Sequence, residues 1–283
     1  MMTHDFETML HSINRCYSKV VSKGLPSVND FKNGELIKSG DILHKSVALR
    51  IDALNELRKA RDTNTRLNLK DIWSKISESI KILPVEATIS SIGSQGFLSI
   101  PLFKYDTDIK AFEFIRLHIW DASLDKYVNT KTRDNFSVHS HLFQADSWVL
   151  CGQIINDRYI VEASDTNEVN SFFGIEYNGT LNEINQHTST AQRTNTFAKA
   201  KQISHEIYMQ EGNYSIRAGE FHKSDSNDKF GISATLFSFT SDNNFQGPSC
   251  VIGPSNIESS EINRKDSIYS KELIIQIDER VNL

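Results

Sequence analysis

The chain has 283 residues, enough for one large domain or two modest ones. Its 39% hydrophobic and 24% charged residues are ordinary for a globular protein, and the net charge of −5 argues against a nucleic-acid surface, which needs a concentrated basic patch. Three widely separated cysteines (Cys16, Cys151 and Cys250), no basic-then-apolar leader and no apolar run near the roughly 20 residues of a membrane helix lead to the expectation of a reduced, cytoplasmic protein with no membrane or nucleic-acid partner.

The first third reads as helical. Phe6, Met9, Leu10, Ile13, Tyr17, Val20 and Val21 recur at three and four residues, predicting a helix over 5–21 that Gly24 and Pro26 stop. A second helix is expected from about Ile42 to Arg61, with Leu43, Val47, Ile51, Leu54 and Leu57 as its apolar stripe. A third fits 69–82, with Ile72, Trp73, Ile76 and Ile80 on one face and Pro84 as its stop. Residues 1–84 are therefore expected to form a helical segment and 85–283 a β domain.

After Pro84 the period changes to two. The runs 85–92, 97–103 and 112–120 are rich in β-branched and aromatic residues, with Gly93, Gly96 and Pro101 within or between them. In 112–120, Ile115, Leu117 and Ile119 fall on one face and Arg116, His118 and Trp120 on the other. If that second face looks into a cavity, Arg116 and His118 are candidate ligand contacts; otherwise they are ordinary strand residues. Residues 121–135 are polar and turn-like. Strands are expected over 148–155 and 159–163, with a hairpin turn at Asn156-Asp157-Arg158. An apolar island at 172–177 and short strands over 203–208 and 214–216 follow. In 230–240, Ile232, Ala234 and Leu236 alternate with Ser233 and Thr235 before Phe237 and Phe239 move the apolar character to the other face, as a bulge or two-sided burial would require. Leu273 to Ile277 is a last apolar run, strand or helix.

The chemistry-bearing stretch is Val138-His139-Ser140-His141. Residues two apart on a strand share a face, so the two imidazoles project together, and neutral imidazole binds Zn, Fe, Ni, Cu and Mn. Asp146 and Gly152 follow. A third histidine lies far downstream, in Arg217-Ala-Gly219-Glu-Phe-His222. The absence of G-x-S-x-G, P-loop and Rossmann glycine patterns weakens serine hydrolase, nucleotidase and dehydrogenase readings.

His139-x-His141, Asp146 and Gly152 resemble the first motif of the cupin superfamily, and Gly219-x-x-His222 resembles its second. The pattern departs from the family in carrying Asp for Glu, an early Gly and Arg217 in place of a Pro. The resemblance spans about 112–240 and implies a mainly β fold, a double-stranded β-helix barrel, here preceded by a helical segment. It also implies one divalent transition metal held by His139, His141 and His222, with Asp146 a candidate fourth ligand. A looser likeness to the cysteine dioxygenase branch, through Phe114–Trp120 ahead of the H-x-H, favours Fe(II), with Zn, Mn or Ni as alternatives; the wider cupin resemblance, whose barrels often pair through their sheets, implies a possible homodimer.

Two functions stay open. One is a three-histidine, thiol-dioxygenase-like oxygenase acting on a small polar substrate, with Arg116, His118 and Arg217 as candidate substrate contacts and Asp146 or Glu220 as partners for the ligands' second nitrogens. The other is a non-catalytic barrel that holds a small ligand or serves in regulation, with the helices making partner contacts.

Overall fold

A computed structural model of the chain describes residues 42–63, 65–83, 90–93, 95–106, 112–177, 188–227, 231–240, 249–263, 265–266 and 270–282. The helix expected over 5–21 and the strand start at 85–89 lie outside these residues.

Two helices lead the described chain: α1 (Ile42–Thr63) and α2 (Leu69–Lys81). Asn68 caps α2 by accepting a hydrogen bond from the Asp71 amide at 3.2 Å. The stripe read from the sequence is the buried one: Val47, Leu54 and Leu57 on α1, and Ile72, Trp73, Ile76 and Ile80 on α2. The last apolar run resolves as a helix, α4 (Ser270–Val281), and packs Leu273, Ile274 and Ile277 into the same core. The helical layer thus draws on both ends of the described chain. Asp278 on α4 ties it together, accepting from Trp73 Nε1 at 2.9 Å, Ser77 Oγ at 2.6 Å and Lys81 Nζ at 2.7 Å.

The strands are β1 (Ser91–Ile92), β2 (Leu98–Asp106), β3 (Phe112–Trp120), β4 (Gln144–Cys151), β5 (Gln153–Ser164), β6 (Asn170–Tyr177), β7 (Thr188–Met209), β8 (Asn213–Ile216), β9 (Phe221–Ser226), β10 (Ser233–Thr240), β11 (Cys250–Pro254), β12 (Ser259–Asn263) and β13 (Lys265–Asp266). A 3₁₀ turn (Ala122–Tyr127) and a short helix, α3 (Thr130–Asn135), fill the polar stretch after β3. Among the described residues all pairings are antiparallel. They form a larger sheet ordered β13-β1-β2-β3-β10-β4-β8 and a smaller one ordered β11-β6-β7-β5-β9, with β12 also on β7. This is a mainly β fold of two antiparallel sheets with a helical segment ahead of them.

The alternation in β3 acquires its meaning here. Ile115, Leu117 and Ile119, with Ala234 and Leu236 of β10, face the helical layer. Trp120 and Phe237 join Ile154 of β5 and Tyr214 of β8 in a second cluster, between the sheets. β10 is buried on both sides, from Ser233 to Phe237, and shifts register against β4 between Ala234 and Thr235. The two-sided burial read for that strand therefore holds, whereas the register shift lies ahead of the change of face at Phe237 rather than at it.

The hairpin expected at 156–158 does not form. β5 runs unbroken through those residues, with a register shift against β7 between Arg158 and Tyr159. The polar residues there have partners inside the sheet: Asn156 is fully buried and donates to Glu206 at 3.3 Å, so its polarity marks a hydrogen-bonded interior rather than a turn. β7 is a 22-residue strand where only a short run over 203–208 was expected, because its exposed polar residues hide the alternation.

The turn falls instead at Gly152, where the chain leaves β4 in the larger sheet and enters β5 in the smaller. Gly152 has φ +75, and a Cβ there would lie 2.2 Å from Ser233 Oγ and 2.7 Å from the Ile232 carbonyl oxygen. Only glycine meets both demands. Gly152→Ala is expected to lower unfolding free energy by roughly 2–5 kcal/mol, from left-handed strain plus overpacking, as read in a urea titration with an unchanged slope.

Candidate metal centre

His139 lies outside the long strands, in a segment that joins the two edges of the smaller sheet. Its amide donates to the His222 carbonyl at 3.0 Å, and the His222 amide donates back to the His139 carbonyl at 2.9 Å. On the other side Ser140 N donates to Cys250 O at 2.9 Å and Ile252 N to Val138 O at 2.9 Å. The hydrogen-bonded path from β11 through β6, β7 and β5 to β9 is thereby closed.

That closure places the rings. Residues exchanging both backbone bonds across an antiparallel pair are directly opposite and put their side chains on one face. His139 and His222 are such a pair, and His141, two residues on, shares the face. Ring centroids are 4.3 Å apart for His139 and His222, and 4.7 Å apart for His141 with either neighbour. One ligand nitrogen from each of the three lies within 4.8 Å of the others.

Hydrogen bonds orient these nitrogens. His139 Nδ1–H donates to the Ser137 carbonyl at 2.9 Å, and His222 Nδ1–H to the Glu220 carbonyl at 3.4 Å. A carbonyl only accepts, so both rings keep their Nε2 lone pairs for another partner. His141 Nε2 and His222 Nε2 are 3.2 Å apart. Two nitrogens each about 2.0–2.1 Å from one ion, at ligand angles of roughly 90–110°, lie about 2.9–3.4 Å apart, so the spacing suits a shared cation. Burial pushes His139 down to about 4. Burial, then the neighbouring His139 and Arg116, hold His141 well below the ordinary histidine range; burial and the other two imidazoles do the same for His222. Three neutral, inward imidazoles form a donor set that fits one divalent transition metal.

The wall opposite is aromatic. Across the larger sheet, Arg116 of β3 pairs with Phe237 of β10, and Phe237 with Ser147 of β4. Phe239 stands edge-on to His141 at 5.0 Å, and Phe237 lies 6.2 Å from it. The second face of β3 therefore looks into the barrel. Arg116 stacks its guanidinium 3.9 Å from the centre of the Phe114 ring. His118 is sandwiched, 4.3 Å from Phe97 and 4.9 Å from Phe237.

The other candidates stand apart from the three rings. Asp146, on β4, accepts from Ser215 Oγ at 2.5 Å and is not among the groups gathered at the centre. Arg217 has an exposed side chain, and its backbone amide donates to Glu220 Oε2 at 3.0 Å. Glu220 serves His222 through its carbonyl, not its carboxylate. Cys151 is buried, and that burial raises its thiol to about 12, which suits a structural residue rather than a nucleophile.

Sequence reasoning passed over Gln95. The tight turn between β1 and β2, closed by Gly96 N to Gly93 O at 3.0 Å, brings the Gln95 amide nitrogen beside His139, where it can donate to the Nε2 lone pair at 3.2 Å. The turn was legible from Gly93 and Gly96, but its approach to His139 was not.

No family model matches this chain, and no curated protein matches it. Solved structures do: 26 chains match. Among them is a crystal structure of CapF with the inhibitor 3-isopropenyl-tropolone, 10% identical and with a TM-score of 0.24. The match covers 75% of this chain and 46% of that one, so the chain spans under half of CapF's length. Fold and site therefore rest on the strand pairing and side chains described above. Among the described residues no helix is long and apolar enough to cross a membrane.

The buried imidazoles set a pH dependence. The unfolded chain takes up protons near 6.5, whereas folded His139 resists until about 4. Between those values the unfolded state binds more protons, so stability falls as pH drops from 6.5 to 4. The loss for His139 alone amounts to roughly 3 kcal/mol. Denaturant titrations of metal-free protein across this range should show the decline, and His139→Gln should make it shallower without abolishing it, since His141 and His222 are depressed as well.

Proposed function

We propose that the chain is a mononuclear metalloprotein of the cupin type, and that it acts as an oxygenase on a small, negatively charged polar substrate. The observation that carries the reading is the convergence of three neutral imidazoles, one of them far along the chain, on a single point facing the barrel interior.

The donor set supports this reading. Three neutral ligands, with no carboxylate gathered beside them among the described residues, leave the ion its full positive charge and open coordination positions. When bound, a divalent metal, Fe(II) in the first instance, would let substrate and dioxygen meet at one centre. Zn, Mn or Ni would fit the same nitrogens. The protein's own part is to exclude water and orient the substrate. Phe237, Phe239 and Phe143 supply a dry aromatic wall. Arg116, on that wall and close enough to His141 to oppose its protonation, would hold a substrate carboxylate. His118, stacked behind it, would shape the pocket, and Arg217 would act at its rim.

Two measurements test this. Protein purified without an affinity tag should carry about one equivalent of a transition metal by elemental analysis, and folded His139→Ala should lose it, weakening retention by 100-fold or more. Stoichiometric absence of metal from well-folded protein would leave the non-catalytic ligand-holding barrel as the better reading. Arg116→Gln should raise KM for an acidic substrate by 10-fold or more, with kcat less affected and metal content unchanged, as steady-state oxygen consumption would report.

A further inference from the structure

The barrel interior beside the three histidines holds a second cluster, built on Arg158. In the β5–β9 pairing Arg158 stands directly opposite His222, so both side chains share the inner face. Arg158 Nε donates to both Glu206 oxygens, at 2.9 and 3.0 Å. Nη1 donates to Glu220 Oε1 at 2.6 Å, and Nη2 to the Ser215 carbonyl at 2.9 Å. Glu206 is itself fixed by Tyr208 OH at 2.8 Å, Ser204 Oγ at 3.1 Å and Asn156 Nδ2 at 3.3 Å. The side chain of Arg158 is only 17% exposed, and every guanidinium nitrogen is engaged, so it is poorly suited to receive a substrate.

The far end of this network is the loop that delivers His222. Glu220 Oε2 accepts from Arg217 N at 3.0 Å, and Glu220 N donates to Arg217 O at 3.0 Å, which folds 217–220 into a closed turn. Gly219, at φ +78, makes that turn and donates its amide to the His141 carbonyl at 2.8 Å. The Glu220 carbonyl then takes the Nδ1–H of His222. One turn thus grips the backbone of one candidate ligand and the ring of another, and Arg158 pins it to the long β5–β7 pair. The β5 register shift lies immediately after Arg158, and bulges of this kind re-aim a side chain.

We propose that Arg158, acting through Glu220, is a positioning residue for the metal centre: it holds the 217–220 turn so that His222 keeps its proton on Nδ1 and its Nε2 lone pair toward His141. This rests on the reading of the three histidines as a metal site, and it adds a residue that lies outside both motifs. An ion pair spanning two strands serves this purpose better than a flexible contact, because the guanidinium fork fixes direction as well as distance.

The test uses the full chain and two readouts. In metal-free protein, long-range ¹H–¹⁵N correlation spectra of the histidine rings should show His222 protonated on Nδ1. Folded Glu220→Gln keeps an acceptor for Arg217 N but loses the charge, and should give mixed tautomers at His222. Co(II) titrated against a chelating indicator should bind Glu220→Gln and Arg158→Met 10- to 100-fold more weakly than the parent protein, with altered visible bands, and Arg158→Lys should restore only part of the loss. If Arg158→Met does not fold, Glu220→Gln decides alone. An unchanged tautomer together with unchanged Co(II) affinity in folded Glu220→Gln would overturn the proposal. Failure of the parent protein to bind Co(II) would instead overturn the metal-site reading, while the tautomer spectra would still judge the positioning role.

Discussion

The reciprocal pair of backbone hydrogen bonds between His139 and His222 is the contact on which the rest of the site depends. It does two things with one geometry. It joins the free edge of β9 to the segment that also meets β11, so that the smaller sheet has no open edge there. It also sets the two imidazoles opposite one another on the inner face, where His141 joins them by the period of the strand. A slip of one residue in this pairing would turn one ring outward and dissolve the cluster. Closure and ligand placement are therefore a single structural event.

The two faces of the larger sheet divide the remaining labour. Its outer face is aliphatic and is covered by helices from both ends of the described chain, with Asp278 as the polar knot among them. The helices are also pinned to β3 by Arg58, which donates to Glu113 at 2.9 Å through Nε while its guanidinium lies 5.2 Å from the Phe103 ring centre. The inner face carries rings, hydroxyls and Arg116, and looks toward the histidines. A rigid, well-covered back lets the inner face hold polar groups that would otherwise weaken a core, since buried polar atoms are tolerable only where their surroundings hold them in place.

Inside the barrel, charge is arranged so that the histidines stay neutral. Burial is the main cause, and the Arg116 and Arg158 guanidinium groups add to it at His141 and His222 respectively. Arg158 is matched by Glu206 and Glu220, so the interior tolerates its charge. Protons and a metal would compete for the same ring nitrogens, so imidazoles that stay neutral keep their lone pairs available to a metal, while the nearby guanidinium charges oppose either cation.

Much of this was legible in the residues alone. The helical stripes of α1 and α2, the two-faced alternation of β3 and the shared face of His139 and His141 follow from local periodicity, which the backbone imposes regardless of what surrounds it. Gly152 was legible as the glycine of the resembled first motif, although its role as the corner between sheets was not. The tertiary structure alone decided the matters that depend on pairing between distant segments. It ran β5 straight through Asn156-Asp157-Arg158, because Asn156 and Arg158 found partners on and beside the neighbouring strands that no local pattern shows. It left Asp146 with Ser215, and it brought Gln95 and Arg158 beside the histidines. Periodicity is a property of one strand, whereas register is a property of two, and the centre at His139, His141 and His222 exists only once the register between strands is set.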